Sequence, residues 1–350
     1  PLGCRFPLPG TIGASVLAYI LRRLIHLIPV LIGVSIIVFV LMRVVPGDPV
    51  SVFTRDQPLP PEVIEEIRVS LGLDQPLPVQ YARYVAQLIR GDLGTSISFN
   101  QPVSSLVFDR LPATIGLAIA SMVFSLLFAI PTGILAAVFR GSLLDRLAIV
   151  ISVLGVSVPT FWLAILLIIG VSVHLGWFPE FGRIDIGTAV PHVTGLYTVD
   201  SLLARDFAAF KSALSHLVLP AVSMAVSLQA FTLRLLRSST IEALLSDYVV
   251  NARARGLPEH LVVLRHAVRN ALLPTITVIG LQIGGLVSGV VIVETIFSWP
   301  GLGSLIVHGI SSRDFVLVQG VVVIFAVVYV VLNLITDLVY AWVDPRIRLQ

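Results

Sequence analysis

Six runs of about twenty or more apolar residues, nearly free of charge, constrain this chain more than any other feature. They cover about 24–45, 113–138, 147–175, 213–233, 271–296 and 315–342. A helix rises about 1.5 Å per residue, so roughly 20 residues cross about 30 Å of hydrocarbon. Inside lipid the backbone must satisfy its own hydrogen bonds, which makes each run an expected helix and the fold class all-α. Prolines sit within five of the six, at Pro29, Pro131, Pro159, Pro220 and Pro274, and kinks or helix ends are expected there.

Composition points the same way. Of 350 residues, 56% are hydrophobic and 12% charged, and the mean hydropathy of +0.97 lies above what a fully solvated surface allows. The single cysteine, Cys4, has no partner for an intrachain disulfide, so stability rests on helix packing.

An even number of spans puts both termini on one side. With the termini inside, the inner loops hold thirteen basic and five acidic residues, the outer ones ten and thirteen. The positive-inside rule therefore predicts a multi-pass membrane protein with both ends cytoplasmic. The expected organisation is a cytoplasmic segment 1–23, a first span 24–45, an extracytoplasmic segment 46–112, a five-helix core 113–342 and a cytoplasmic end 343–350. Segment 46–112 alternates Pro/Asp-rich punctuation with short amphipathic runs and reads as a helical cap. A second outer stretch, 176–212, holds an expected interfacial helix in "LLARDFAAFKSALSHL".

Catalytic patterns are missing from the sequence. Its one lysine, Lys211, follows Phe210 where a phosphate-binding loop requires Gly. "GVSVP" at 155–159 has Pro where a nucleophile elbow has its second Gly, so Ser157 reads as a packing residue. His26, His174 and His216 share no metal-ligand spacing. The chain is expected to be non-catalytic and to bind neither cofactor, metal nor nucleic acid.

The inner loop 234–270 departs from this apolar background. Asp247 can N-cap a helix from Tyr248 to Arg255, Gly256 supplies a left-handed stop, and Pro258 suits the first position of a second helix running to about Asn270. Arg253, Arg255, Arg265 and Arg269 then surround small Ala252 and Ala254 and apolar Leu257, Leu261, Val262 and Leu264. Anionic lipid would account for the arginines but not for the corner. A partner groove that receives a rigid two-helix wedge accounts for charge, small residues and Gly together.

The loop resembles the EAA loop of ABC-importer permeases, in the form found in the dipeptide/oligopeptide/nickel permease family, B-type subunit. Ala252, Gly256, "LRHAVRNALLP" and the terminal "DPRIR" (344–348) carry the likeness. So do "RVVPGDP" (43–49), "LGLDQPLPVQY" (71–81), "RGDLGTS" (90–96), "RLPAT" (110–114), "SVPTFWLAILL" (157–167) and "ETIFSWPGLG" (294–303), in that order. Val250 and Asn251 stand where the general pattern has Glu and Ala, as is usual in the peptide branch.

The resemblance implies a type I importer permease fold in a bacterial or archaeal cytoplasmic membrane. It also implies that Asp247, Tyr248, Ala252, Arg253, Ala254, Arg255, Gly256, Leu257 and Leu261 couple the chain to a cytoplasmic ATPase. The partners implied are a second homologous permease completing the pore, two ATPase subunits or domains that bind ATP and Mg, an extracytoplasmic substrate-binding protein, and the bilayer. Peptides are the implied substrate, with nickel chelates, glutathione or another small solute as the alternative. An ATP-independent secondary transporter is the alternative of a different class; it would leave the wedge without a purpose.

Two features concern the pore. Gly280 to Gly284 and Gly285 to Gly289 are each spaced as G-x-x-x-G, which lets another backbone approach closely, within the chain or at a permease–permease seam. Glu294 and Asp337 are acids inside apolar runs. Glu294 with Phe297, Trp299 and Pro300 is a candidate outer gate, and Gln282 a candidate cavity residue or interhelix bridge.

Overall fold

The computed structural model describes residues 28–40, 60, 62, 63, 65, 69 and 74–343, without the side chains at 284, 287, 288 and 337–343. The expected terminal segments, "RVVPGDP", the ends of the first span and the side chains of Gly284 and Asp337 lie outside the described residues. What is described is mostly helical and divides into two units, residues 1–107 with 308–350, and residues 108–307.

In the first unit, helix α1 (Ile28–Val40) is the described part of the first expected span. It meets α2 (Leu77–Ile89) through an edge-to-face pair of Phe39 and Tyr81 at 5.2 Å and a hydrogen bond of 2.9 Å between the Ser35 and Tyr81 hydroxyls. A two-residue hairpin, β1 (Thr95–Ser96) with β2 (Gln101–Pro102), leads into α3 (Val103–Val138). The same unit holds α11 (Phe315–Val343), whose start is capped by Asp314: its Oδ1 accepts from the Leu317 N–H at 3.0 Å.

The second unit holds the body of α3, then α4 (Leu143–Ser157), α5 (Thr160–Leu167), α6 (Tyr197–Leu203), α7 (Phe207–Leu244) and α8 (Asp247–Ala254). A turn at Glu259–Leu261 and a π-helical segment, Val262–Val268, run without a break into α9 (Arg269–Ile296), and α10 is Leu302–Ser312. The expected helix boundary at Asn270 is therefore absent. Nothing near Asn270 stops a helix, so the elbow's second arm continues into the fifth span.

Among the described residues four helices are long and apolar enough to cross a bilayer: Val103–Val138, Phe207–Leu244, Glu259–Ile283 and Phe315–Thr336. The expected span 147–175 is bent by 105° between Leu143–Ser157 and Thr160–His174. A proline disfavours the helical region for the residue before it, and here Val158 has left that region, with ψ of 120°. Pro131, Pro220 and Pro274 stay inside unbroken helices.

The core of the second unit lies between α3, α5, α7 and α9, with Leu117, Ala164, Met224, Val290 and Phe297 among its buried residues. Small residues bring the helices together. A Cβ added at Gly155 would meet the Val226 carbonyl at 3.1 Å, and one at Gly133 the Leu233 carbonyl at 3.2 Å, so α3 and α4 lie close against α7. The interfacial helix expected across 202–217 is instead broken: α6 ends at Leu203, Arg205 adopts a φ of 57°, and the Asp206 carboxylate caps α7 by accepting from the Ala209 N–H.

Asp200 organises the loop before α6. Its fully buried carboxylate accepts from the Thr194 hydroxyl at 2.6 Å, the Thr194 N–H at 2.8 Å and the Gly195 N–H at 2.9 Å. Burial pushes its pKa up, but these bonds outweigh burial and hold it below the ordinary carboxylate range. A depressed folded pKa means that the stabilisation is complete above about pH 4 and disappears only as pH falls through the folded value. Amide exchange at Thr194 and Gly195 is therefore expected to stay protected down to about pH 4 and to lose protection below it. Asp200→Asn, which turns an NH2 toward N–H donors, is expected to expose both amides at neutral pH. Full protection in that variant would contradict this account of the loop.

Candidate functional site

The elbow forms at the end of α7. Ser246 takes the N-cap position expected for Asp247, but its hydroxyl turns back to the Ala243 carbonyl, and Asp247 becomes the first helical residue, its charge favourable to the helix N-terminus. At the other end of α8 the Gly256 N–H donates to Arg253 O at 2.9 Å and the Leu257 N–H to Ala252 O at 3.4 Å. This is the paired closure that a left-handed residue permits, and Gly256 has φ of 78°. Pro258 then precedes the second arm as its N-cap residue; the first helical position expected for it belongs to Glu259.

Two further contacts stiffen the corner. Val249 and Ala252 of α8 pack with Ala243 of α7 and with Val262 and Ala267 of the second arm, all buried. Across the outside of the corner Arg253 forks onto Glu259, Nη2 to Oε1 at 2.6 Å and Nε to Oε2 at 3.1 Å. Ala252 and Val262, expected on the presented surface, are thus inside the elbow. Arg253 is paired within the chain.

What the elbow presents is Asp247, Tyr248, Ala254, Arg255, Gly256, Leu257 and Leu261, all exposed, with Val250 and Leu264 more than half exposed. A Cβ added to Gly256 would meet nothing within 4 Å. An apolar, charge-edged corner with open space at its apex can enter a groove on another molecule.

At the opposite end of the unit Glu294 is fully buried. The Thr114 hydroxyl donates to its Oε1 at 2.6 Å, and the Ser304 N–H donates to its Oε2 at 3.0 Å, joined by the Gly303 N–H. Thr114 itself accepts from the Leu302 N–H at 2.8 Å, so its one proton faces the carboxylate. Trp299 Nε1–H donates to the Ala113 carbonyl at 3.0 Å, and Phe297 is buried in the core. Of the expected gate only Pro300 is exposed. These residues form a latch that holds the 298–304 turn onto the start of the second span.

Gln282 bonds across helices, donating to the Leu228 carbonyl at 3.3 Å and accepting from Thr232 at 3.2 Å. Of the G-x-x-x-G glycines, Gly280 is buried, and a Cβ added at Gly289 would meet Met224 Cε at 3.7 Å. A Cβ added at Gly285 would meet nothing within 4 Å, and this exposed residue shares a face of α9 with Leu281 and Ile292. Sequence reasoning counted Asp145 and Arg237 only as loop charges; the buried Asp145 carboxylate and the partly exposed Arg237 form a bidentate pair, Nε to Oδ1 at 2.5 Å and Nη2 to Oδ2 at 2.9 Å. Their separation of 92 residues left no local signal.

A body of helices long and apolar enough to cross a bilayer, with a stiffened, exposed elbow at one end and a latched turn at the other, defines a multi-pass membrane protein. Residues 129–349 match the family model described as binding-protein-dependent transport system inner membrane component, and residues 16–118 match the model of its N-terminal part. The chain belongs to this family, whose fold is that of type I ABC importer permeases. It is 39% identical over 333 residues to the dipeptide transport system permease protein DppB of Alkalihalophilus pseudofirmus, covering 95% of this chain and 100% of that protein. The probable D,D-dipeptide transport system permease protein DdpB of Escherichia coli K12 is 44% identical over 304 residues, covering 87% and 89%. The glutathione transport system permease protein GsiC of Salmonella paratyphi A is 37% identical over 333 residues, covering 95% and 99%. As a permease of this family the chain is a non-catalytic, multi-pass membrane subunit, and it works with separate ATPase and binding-protein partners.

Proposed function

We propose that this chain is one half of the translocation pore of a peptide importer, its elbow seated in a groove of a cytoplasmic ATPase subunit. The observation that carries the reading is the Gly256 corner: closed by backbone hydrogen bonds, packed from within, and exposed at its apex. A coupling element must be stiff, since a floppy one would dissipate the few kcal/mol by which nucleotide binding shifts a two-state equilibrium. The assembly contains a second homologous permease, against which the exposed Leu281–Gly285–Ile292 face of α9 packs, two ATPase subunits or domains that hold ATP and Mg, and an extracytoplasmic binding protein. The chain itself binds no cofactor. Both termini and the elbow are cytoplasmic, in agreement with the charge distribution.

Peptides are favoured as substrates by the dipeptide permeases among the relatives; glutathione is the second reading, favoured by the glutathione permease at 37% identity. The test is uptake by vesicles that hold the whole complex, supplied with binding protein and ATP. Gly256→Pro, whose ring cannot adopt a φ of 78°, and Arg255→Glu are expected to leave the complex in the membrane while uptake falls about tenfold or more. Normal uptake in both variants would remove the elbow from the coupling path. Competition by unlabelled dipeptides but not glutathione is the result expected for the first substrate reading.

A further inference from the structure

The elbow has two routes into the membrane body. One is direct, since its second arm continues into α9. The other passes through Ala243, a buried residue of α7 that packs with Val249 and Ala252. Helix α7 runs 38 residues, about 57 Å at 1.5 Å per residue, so a push received at Ala243 travels along one rod.

What α7 carries with it depends on its seam with α3 and α4. That seam is made of small residues: Gly155 against Val226 and Ala230, Gly133 against Leu233, Ala148 in a cluster with Leu233. Apolar contacts of this kind hold helices together but resist sliding weakly, and shear between packed helices is a common form of conformational change.

Among the described residues two polar contacts cross the seam: a long hydrogen bond of 3.4 Å from the Ser227 hydroxyl to the Gly155 carbonyl, and a bidentate ion pair, which fixes the register. Asp145, in the first turn of α4 and 5% exposed, receives both Nε and Nη2 of Arg237, which is 21% exposed and lies two turns before the end of α7. The same carboxylate accepts from the Gly141 N–H at 2.9 Å, so the α3–α4 turn is held in the same knot. Gly141 has φ of 83°, the left-handed conformation that the turn requires. A bidentate pair has one geometry, and a slip of a fraction of a helical turn would break it.

We propose that Asp145 and Arg237 are a positioning pair for coupling: they lock the α3–α4 turn and α4 to α7, so that motion delivered at the elbow moves the second, third and fourth spans as one body. This rests on the elbow being the docking corner. It adds the path by which spans without direct contact to the ATPase would follow.

The measurement is the number of ATP molecules hydrolysed per substrate imported by the reconstituted complex, normalised to assembled protein. Arg237→Lys keeps the charge but loses the fork, so it does not strand a buried carboxylate. It is expected to assemble normally and to raise ATP per substrate about fivefold or more, within the range of allosteric coupling. Asp145→Asn should raise the ratio further, and the exchanged pair Asp145→Arg with Arg237→Asp should bring it only part of the way back, because an arginine restores the ion pair but cannot accept from the Gly141 N–H. A contribution to folding alone would lower the amount of complex and leave the ratio unchanged. An unchanged ratio in assembled Arg237→Lys therefore overturns the proposal, whatever Asp145→Asn does. If the parent vesicles show no ATP-dependent uptake, it is the importer reading that fails; parent vesicles that couple normally beside an unaffected Arg237→Lys sink only the positioning role.

Discussion

Glu294→Ala is expected to destabilise the purified permease by about 3 kcal/mol or more, lowering its thermal unfolding midpoint in detergent and the yield of monodisperse protein. Three donors converge on this carboxylate, the Thr114 hydroxyl and the N–H groups of Ser304 and Gly303. Truncation strands all three in a buried site, and each stranded group costs on the order of 1–3 kcal/mol. The space is also specific to the carboxylate, since a Cβ added at Gly301 would overlap it and one at Gly303 would crowd both it and the Val291 backbone.

Glu294→Gln separates hydrogen bonding from charge. Its amide oxygen can replace Oε2 toward Ser304 and Gly303, with its NH2 facing Thr114. The threonine hydroxyl must then rotate to accept from the amide while it still accepts from Leu302. That rearrangement loses about one neutral hydrogen bond's worth of stability, about 1 kcal/mol. A Gln variant as unstable as the Ala variant would show that the charge, not the donor geometry, holds the latch. An Ala variant as stable as the parent would show that the turn is held by Trp299 and Phe297 alone.

This latch also marks where the sequence stops being informative. That Glu294 is an expensive residue was legible, because a carboxylate in an apolar run is costly wherever it sits. Its partners were not, because Thr114 lies 180 residues away and no local pattern ties a threonine in one span to a glutamate in another. The Asp145–Arg237 pair was hidden for the same reason. The elbow was far more legible, since Gly256 and Pro258 act on their immediate neighbours. Even there the orientation of Ala252 could have been read from its spacing: Val249 and Ala252, three apart, share one helix face, and that face is buried.

Prolines show the limit in another form. Pro159 breaks its span and Pro220 does not, although both lie in apolar runs of similar composition. Each proline removes one backbone donor. Whether the helix bends depends on neighbours that accommodate the ring and the freed carbonyl, and those come from elsewhere in the chain.

The second large effect is expected at Asp314, a fully buried carboxylate in the other unit. Its Oδ2 accepts from the Ser96 hydroxyl at 2.6 Å and from the hydroxyl and N–H of Ser98, both at 2.9 Å, while Oδ1 caps α11. One side chain thus ties the 95–102 hairpin to the start of the last span. Asp314→Ala removes the cap, worth about 1 kcal/mol, and leaves three donors in the hairpin without their acceptor. Asp314→Ser can restore the cap to Leu317 but is too short to replace Oδ2 among the hairpin donors. Limited proteolysis should therefore cut within residues 91–102 readily in both variants and slowly in the parent. The thermal midpoint should recover in part in the serine variant alone. Protection of the hairpin in Asp314→Ser would mean that the Gly94–Val316 packing, where an added Cβ would come within 2.6 Å, holds the hairpin without the carboxylate.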